Sequence, residues 1–171
     1  LIGDKSLIPE NRVTRVYPQK NLFSHIIGQI DNENNGVSGI EKSYDKILKD
    51  GSYNLKLSVD LNLQYLIHAE LIKFQNIFNS IGSAAILMNS HNGEILSLIS
   101  LPDYDLNQRV SIDSEIYSNK ITLGVYELGS VFKTFTIAAG LENKIIKKDT
   151  IFKNLKNNIT CDKYTISEHD K

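Results

Sequence analysis

The strongest constraint on the fold is a long amphipathic segment at residues 61–80. Its apolar residues recur every three or four positions, which predicts a helix that buries one stripe in the core. The stripe consists of Leu63, Ile67, Leu71, Phe74 and Phe78. Asp60 is expected to cap the start of this helix, and Gly82 is expected to close its end.

A β-hairpin is predicted directly after the helix. The apolar runs at residues 84–88 and 94–99 flank an Asn92-Gly93 pair. Such a pair favours a tight turn with positive φ at both central positions. The first run is continuously apolar, and a strand of this kind is typically covered on both faces. The sequence therefore predicts a buried hairpin here.

Shorter elements are predicted before the long helix. Alternating side chains favour extended strands at residues 12–17 and at residues 54–59. Residues 39–48 are expected to form a short helix that ends at Gly51. We find no candidate catalytic residue in this region and interpret it as a small scaffold module.

The chain after the hairpin is mostly polar. Residues 106–125 and residues 143–171 show little periodicity and are expected to form loops. Asp103 and Asp105 stand beside a proline and are interpreted as turn residues, because two carboxylates alone make a poor metal site. The four histidines show no ligand spacing, so neither a metal nor a cofactor is expected.

One stretch has the pattern of an acyl-transfer nucleophile. Ser130 and Lys133 stand three residues apart at the start of an apolar segment. On a helix this spacing puts both Cβ atoms on one face, roughly 5–6 Å apart. A lysine made acidic by burial can accept the serine proton, and a helix start favours developing negative charge. Gly129 permits close approach of a ligand, and the segment is apolar enough to be buried.

The spacing of the serine and the lysine is by itself a weak signal. Ser43 and Lys46 have the same spacing, but their charged neighbours indicate a solvated turn or helix start. Ser130 could also be an ordinary N-cap whose Lys133 points to water. The apolar residues after Ser130 distinguish the two motifs, because a lysine at the start of a buried helix needs an explanation that a surface cap does not supply.

Composition excludes several classes of function. The chain has 171 residues and a net charge of −1, so nothing indicates binding to nucleic acid. The single Cys161 cannot form an internal disulfide, and no window approaches the ~18–20 apolar residues of a membrane span. Since the chain starts at Leu1 without a signal peptide, we expect it to be a piece of something longer.

Six blocks in order resemble a class B penicillin-binding protein, a peptidoglycan D,D-transpeptidase. Residues 122–133 are most similar to the division-specific, septal members of alphaproteobacteria, with Leu128 where many members of the family have proline. Residues 164–169 resemble the segment before the family's second motif. The six blocks are residues 15–28, 36–45, 57–64, 93–96, 100–107 and 126–133.

The resemblance implies an α+β fold. A small pedestal (dimerisation) domain would occupy residues 1–51. Residues 52–171 would be the N-terminal part of a transpeptidase, β-lactamase-like α/β domain, which has an antiparallel sheet with helices on both sides. The chain stops before the family's S-x-N and K-T-G motifs, and the family's membrane anchor would precede Leu1.

The resemblance also implies a reaction. Ser130 would be the nucleophile that attacks peptidoglycan stem peptides or β-lactams, Lys133 the general base, and Gly129 a substrate contact. The intact protein would cross-link septal cell wall at the periplasmic face of the inner membrane and bind membrane-bound division proteins through its pedestal. The isolated chain, lacking two motifs, is expected to be inactive, and its copies could associate with one another.

Two other functions stay open at this point. The chain could belong to a non-catalytic interaction module of the division machinery, a pseudoenzyme that keeps the scaffold blocks. It could also belong to a β-lactam sensor or hydrolase, which uses the same serine and lysine spacing. The pedestal blocks argue against the second alternative.

Overall fold

The computed structural model describes residues 13–111, 113–153 and 155–167, and the chain divides into two compact units, Leu1–Val125 and Tyr126–Lys171. The first unit contains α1 (Ser24–Ile27), α2 (Gly39–Ser43), α3 (Asp45–Asp50), α4 (Leu61–Phe78), β1 (Ser83–Met88), β2 (Ile95–Leu101) and a 3₁₀ helix (Glu115–Tyr117). The second contains a 3₁₀ helix (Gly129–Phe132), α5 (Lys133–Glu142), β3 (Asn158–Cys161) and β4 (Tyr164–Ser167). Helices and antiparallel strands thus make an α+β fold, whereas the domain boundary after residue 51 stays a prediction.

Helix α4 begins where the sequence predicts it. The side chain of Asp60 accepts hydrogen bonds from the backbone N–H groups of Asn62 at 2.8 Å and Leu63 at 2.9 Å, so the predicted cap is confirmed. The predicted end at Gly82 is wrong. The helix ends at Phe78, and Asn79 takes the left-handed conformation with φ of 53°. Asparagine tolerates this conformation and closes the helix three residues earlier.

Replacing Asp60 with alanine should lower the free energy of unfolding by about 1 kcal/mol, because two N–H groups at the start of α4 lose their acceptor. Urea unfolding of the 171-residue chain measures this change. The Asp60→Asn variant keeps an acceptor oxygen and should stay within a few tenths of a kcal/mol of the parent. Equal losses in the two variants would argue against the cap.

The apolar stripe of α4 is only partly packed. Leu63, Ile67 and Leu71 are half-buried, but Phe74 and Phe78 are 52% and 72% exposed and stack on each other with ring centroids 6.2 Å apart. The prediction that the whole stripe packs in the core is therefore wrong for its last two residues. Within the described part of the chain α4 faces a sheet of two strands, which offers too little apolar surface to cover every turn.

The predicted hairpin is confirmed as an antiparallel pair of β1 and β2, with an irregularity between Leu87 and Met88. The predicted tight turn is wrong, since a longer loop connects the strands and only Gly93 has a positive φ, 78°. The Asn89 N–H donates to the Glu94 carbonyl oxygen, and the Glu94 N–H donates to Asn92 Oδ1. The Asn92 side chain therefore stabilises a loop in which glycine alone needs the left-handed conformation.

The two strands differ in burial. β2 is largely buried, whereas Ile86, Leu87 and Met88 at the end of β1 are exposed. The prediction that β1 is covered on both faces is wrong for this chain. Among the described residues, β1 pairs with β2 alone, and continuous apolar strands need neighbours on both sides to be buried.

Gln64 connects α4 to the outer edge of β2 and is 1% exposed. Its Nε2 donates to the carbonyl oxygens of Leu22 at 2.9 Å and Leu98 at 2.8 Å. Its Oε1 accepts from the Ser97 hydroxyl at 2.8 Å and from the Leu98 N–H at 3.0 Å. The side-chain amide therefore pairs with both backbone groups of Leu98, as a neighbouring strand would.

Close backbone contacts explain the glycines of the block at residues 36–45. A Cβ at Gly36 would lie 2.0 Å from the Glu41 carbonyl oxygen, and one at Gly39 would lie 2.6 Å from that of Ile26. The predicted single helix at residues 39–48 is wrong, because the backbone breaks at Tyr44 into α2 and α3. The predicted end at Gly51 is confirmed, with φ of 67°.

Two predicted strands and one predicted loop are also wrong. The described residues of the stretches 12–17 and 54–59 form no strand, although the Ser58 hydroxyl donates to the Ile95 carbonyl oxygen at 2.8 Å. Conversely, the stretch from residue 143 on contains the antiparallel hairpin β3–β4, whose turn residue Asp162 has φ of 53°. Within the described ranges, no helix has both the length and the apolar character that spanning a membrane requires.

Candidate active site

Ser130 and Lys133 lie on consecutive turns at the start of the second unit. Ser130 belongs to the 3₁₀ helix Gly129–Phe132, and Lys133 is the first residue of α5. The Lys133 N–H donates to the Ser130 carbonyl oxygen. Residues three apart in a 3₁₀ turn are eclipsed, so both side chains leave the backbone on the same side. The local structure therefore brings a hydroxyl and an amine to one face of the chain.

Gly129 enters this turn with φ of 53°. A Cβ at this position would meet no atom within 4 Å, so the backbone conformation, and not crowding, favours glycine here. The following Val131 N–H donates to the Leu128 carbonyl oxygen at 3.1 Å, which closes the turn around Ser130. A side chain at Gly129 would strain the backbone that positions the serine.

The predicted burial of the helix after Ser130 is wrong for this chain. No described residue of α5 is buried, and Phe132 and Phe135 are 59% and 60% exposed. Their rings contact each other with centroids 5.7 Å apart. A helix that is apolar almost all round needs cover on every side, and the second unit has few described elements besides the β3–β4 hairpin to provide it.

The other serine and lysine at the same spacing do not share a helix. Ser43 is the last residue of α2, Lys46 lies in α3, and Tyr44 between them interrupts the helical backbone with φ of −117°. Both side chains are exposed, and so are Ser130 and Lys133, so the expected burial of Lys133 is wrong for the described chain and exposure does not distinguish the two motifs. This motif has the required residue types and lacks the continuous turn that holds Ser130 and Lys133.

The carboxylates after β2 have structural partners. Asp103 Oδ2 lies 2.7 Å from His68 Nε2 and accepts from Asn21 Nδ2 at 3.0 Å. Asp105 Oδ1 accepts from the Asn107 N–H at 2.9 Å, as expected of a turn residue. His25 is largely buried, which lowers the pKa of its imidazole. In the part of the chain that the structure describes, no group of three or more His, Cys, Asp or Glu residues could hold a metal.

Sequence reasoning missed the roles of Gln64 and Glu41. Gln64 occupies a polar position beside the apolar stripe of α4, which is the signal that could have indicated a buried hydrogen-bonding role. Glu41 is 5% exposed, and its Oε1 accepts a hydrogen bond from the Tyr17 hydroxyl at 3.0 Å. Arg15 Nε lies 3.4 Å from the same oxygen. Burial and this carboxylate raise the pKa of the Tyr17 phenol.

The sequence of residues 83–171 matches the model of the family described as penicillin binding protein transpeptidase domain. The probable peptidoglycan D,D-transpeptidase FtsI of Caulobacter vibrioides is 32% identical over 147 residues, which cover 84% of this chain and 25% of that protein. The peptidoglycan D,D-transpeptidase FtsI of Escherichia coli K12 is 24% identical over 166 residues, which cover 82% and 28%. The chain therefore spans about a quarter of the length of these relatives.

The fold is similar to that of solved penicillin-binding proteins. Penicillin binding protein 3 of Mycobacterium tuberculosis, in its apo form, superimposes with a TM-score of 0.78 at 22% identity, and the alignment covers 92% of this chain and 38% of that one. The same protein has also been solved complexed with aztreonam. A peptidoglycan synthetase of Bifidobacterium adolescentis superimposes with a TM-score of 0.74 at 19% identity, covering 91% of this chain and 33% of that one.

Proposed function

This chain belongs to the family of penicillin-binding protein transpeptidases, and we propose that it is part of a septal peptidoglycan D,D-transpeptidase. The observation that carries the proposal is the continuous turn that presents Ser130 and Lys133 on one face, inside the region that matches the family. The similarity to an alphaproteobacterial FtsI supports the septal assignment.

In the proposed reaction, Ser130 Oγ attacks the carbonyl carbon between the two terminal D-alanines of a stem peptide. Lys133 Nζ, in its neutral form, accepts the hydroxyl proton as the C–O bond forms. The Lys133 ammonium then gives this proton to the amine nitrogen of the terminal D-alanine as the peptide bond breaks, and D-alanine leaves. An amine of a neighbouring stem peptide attacks the resulting ester, the bond between the acyl carbon and Ser130 Oγ breaks, and a proton of the attacking amine passes by way of Lys133 to Ser130 Oγ, which completes the cross-link and regenerates the enzyme.

A neutral lysine requires a desolvated setting, because burial disfavours the ammonium form. The exposed apolar residues of α5 indicate that the described residues do not complete this setting. We propose that the rest of a longer transpeptidase domain covers this helix. In the first unit, β1 pairs with β2 alone among the described strands and has exposed apolar side chains, so it likewise needs a neighbouring element.

The isolated chain should neither turn over substrate nor react with penicillin at a useful rate. The family uses two backbone N–H donors to stabilise the oxyanion that forms during acylation, and the isolated chain could supply only the N–H of Ser130. Losing one such donor typically lowers the rate by about 10²–10³-fold. Intact-mass spectrometry after incubation of the 171-residue chain with penicillin tests this. Stoichiometric acylation would show that no further segment is required.

Residues 1–51 are proposed to belong to a pedestal that binds membrane-bound division proteins at the periplasmic face of the inner membrane. The described part of this segment has the close backbone contacts of a rigid module, since the space at Gly28 and Gly36 is filled by neighbouring backbone. A rigid module of this kind is suited to holding an interface in place. Copies of the chain could also associate through the free edge of β1.

The experiment for the whole proposal is an assay of the full-length protein that contains this chain. It is incubated with a stem pentapeptide that ends in D-Ala-D-Ala, and both released D-alanine and cross-linked product are measured. A transpeptidase releases D-alanine and forms the cross-link. Binding to division proteins without release would favour the interaction module, and hydrolysis of penicillin without cross-linking would favour the β-lactam hydrolase.

A further inference from the structure

A polar cavity of about 340 Å³ lies within the first unit. Its lining residues come from three segments, which are residues 14–17, residues 29–30 with Asn34, and residues 106–109. Among the described residues that line it, the charged ones are Arg15 and Arg109. The cavity therefore has a positive wall and no facing carboxylate in the described part of the chain, an arrangement that nothing in the proposed transpeptidase chemistry uses.

Each guanidinium group has one hydrogen-bonding or ionic partner among the described residues. Arg15 Nε lies 3.4 Å from the carboxylate of Glu41, and Arg109 Nη1 donates to Asn32 Oδ1. A guanidinium has five N–H donors in a planar fork, so one such contact orients the group and leaves further donors for a ligand. Orientation before binding lowers the entropy cost of capturing an anion.

The walls of the cavity are fixed by the Asn107 amide. Asn107 Oδ1 accepts from the Tyr17 N–H at 3.0 Å, and Asn107 Nδ2 donates to the Tyr17 carbonyl oxygen at 2.9 Å. The raised pKa of the Tyr17 phenol keeps that side chain neutral, so it adds no negative charge to the wall. Of the two arginines, Arg15 has its charge balanced by the buried Glu41 carboxylate, whereas Arg109 has the neutral Asn32 amide as its partner among the described residues and supplies the positive charge of the cavity.

A third polar group in the lining is the side-chain amide of Gln29, which is 7% exposed. Its buried Nε2 makes no hydrogen bond of normal geometry within the described part of the chain, although the amide interacts with the Tyr104 phenol. Buried N–H donors usually have a well-aligned partner, so this donor is only weakly satisfied. Gln29 lines the same cavity as the two arginines.

We propose that this cavity binds a small oxyanion, a phosphate or carboxylate group, between Arg15 and Arg109. Guanidinium forks match the oxygen spacing of both groups and form charge-assisted hydrogen bonds with them. The volume accommodates such a group together with a short part of the molecule that carries it. The site is independent of Ser130, so its fate and that of the proposed catalytic function are separable.

The test is a nuclear magnetic resonance titration of the ¹⁵N-labelled 171-residue chain with inorganic phosphate and, separately, with acetate, at constant ionic strength. Saturable shifts are expected at amides of the three lining segments, and the two arms show which oxyanion binds more tightly. The Arg109→Gln variant should bind at least about tenfold more weakly, since charge-assisted hydrogen bonds are lost. The Lys56→Gln variant, which removes an exposed charge outside the cavity, should bind like the parent.

Three results would overturn the proposal. They are shifts that do not saturate with either anion, saturable shifts at amides outside the three segments, and equal dissociation constants for the Arg109→Gln variant and the parent. Arg109 is exposed, so its replacement leaves the core of the first unit intact. The thermal unfolding midpoint of the variant confirms this before the titration.

Discussion

Replacing Lys133 with alanine in the full-length protein should slow acylation by fluorescent penicillin by about 10²–10⁴-fold, the usual contribution of general-base catalysis. The reason is that Ser130 would keep its place in the 3₁₀ turn but lose the amine one turn further along. Stopped-flow or time-resolved gel fluorescence gives the second-order acylation rate constant for parent and variant.

Lys46 provides the matched control, because it has the same spacing from Ser43 but lies beyond the break at Tyr44. The Lys46→Ala variant should acylate at the parent rate. If Lys133→Ala also reacted at the parent rate, the base would have to be another group. If both variants were acylated equally slowly, the lower rate would reflect a folding defect, and a catalytic role of Lys133 would not explain it.

Replacing Gln64 with leucine should lower the free energy of unfolding of the chain by at least about 3 kcal/mol. Leucine fills a similar volume but leaves the Leu98 N–H, the Leu98 and Leu22 carbonyl oxygens and the Ser97 hydroxyl without their partner. Each buried polar group that loses its hydrogen bond costs about 1–3 kcal/mol. Such a loss is a large share of the ~5–15 kcal/mol by which domains are stable.

Gln75 on the same helix is the control for this substitution. It is half-buried and accepts one hydrogen bond, from the Ser83 hydroxyl at 2.9 Å. Gln75→Leu should therefore cost about 1 kcal/mol or less in urea unfolding of the same chain. A similar loss in both variants would mean that Gln64 does not hold the edge of β2 as described.

The elements that the sequence predicted well depend on local interactions. The Asp60 cap, the left-handed Gly51 and the hairpin at Gly93 are each decided by a few neighbouring residues. The order of the six sequence blocks predicted the family, because each block is short and depends only on local spacing. These features need no knowledge of what packs against them.

The wrong predictions concern burial and weak patterns. The apolar runs of β1 and α5 were expected to be covered, but cover comes from other elements and no local pattern encodes it. The strands β3 and β4 alternate polar and apolar side chains, but each is only four residues long, so the pattern is too short to stand out within a polar stretch. The break at Tyr44 was missed because the apolar spacing continues across it.

Part of the candidate site could be predicted and part could not. The placement of Ser130 and Lys133 one turn apart follows from their spacing, whereas their roles as nucleophile and base stay a prediction. The cavity proposed to bind an oxyanion could not be predicted, since Arg15 and Arg109 are far apart in sequence and line one cavity only in the folded chain, where Asn107 bonds to Tyr17 and Arg109 bonds to Asn32. Contacts at this separation depend on the tertiary fold.

The most direct measurement of the central claim is the site of acylation in the full-length protein after reaction with penicillin. Tandem mass spectrometry of the tryptic peptide that spans residues 121–133 should place the added group on Ser130. The Ser130→Ala variant should gain no mass, while Ser43→Ala should react like the parent. An adduct on any other residue, or an undiminished adduct on the Ser130→Ala variant, would contradict the assignment of the nucleophile.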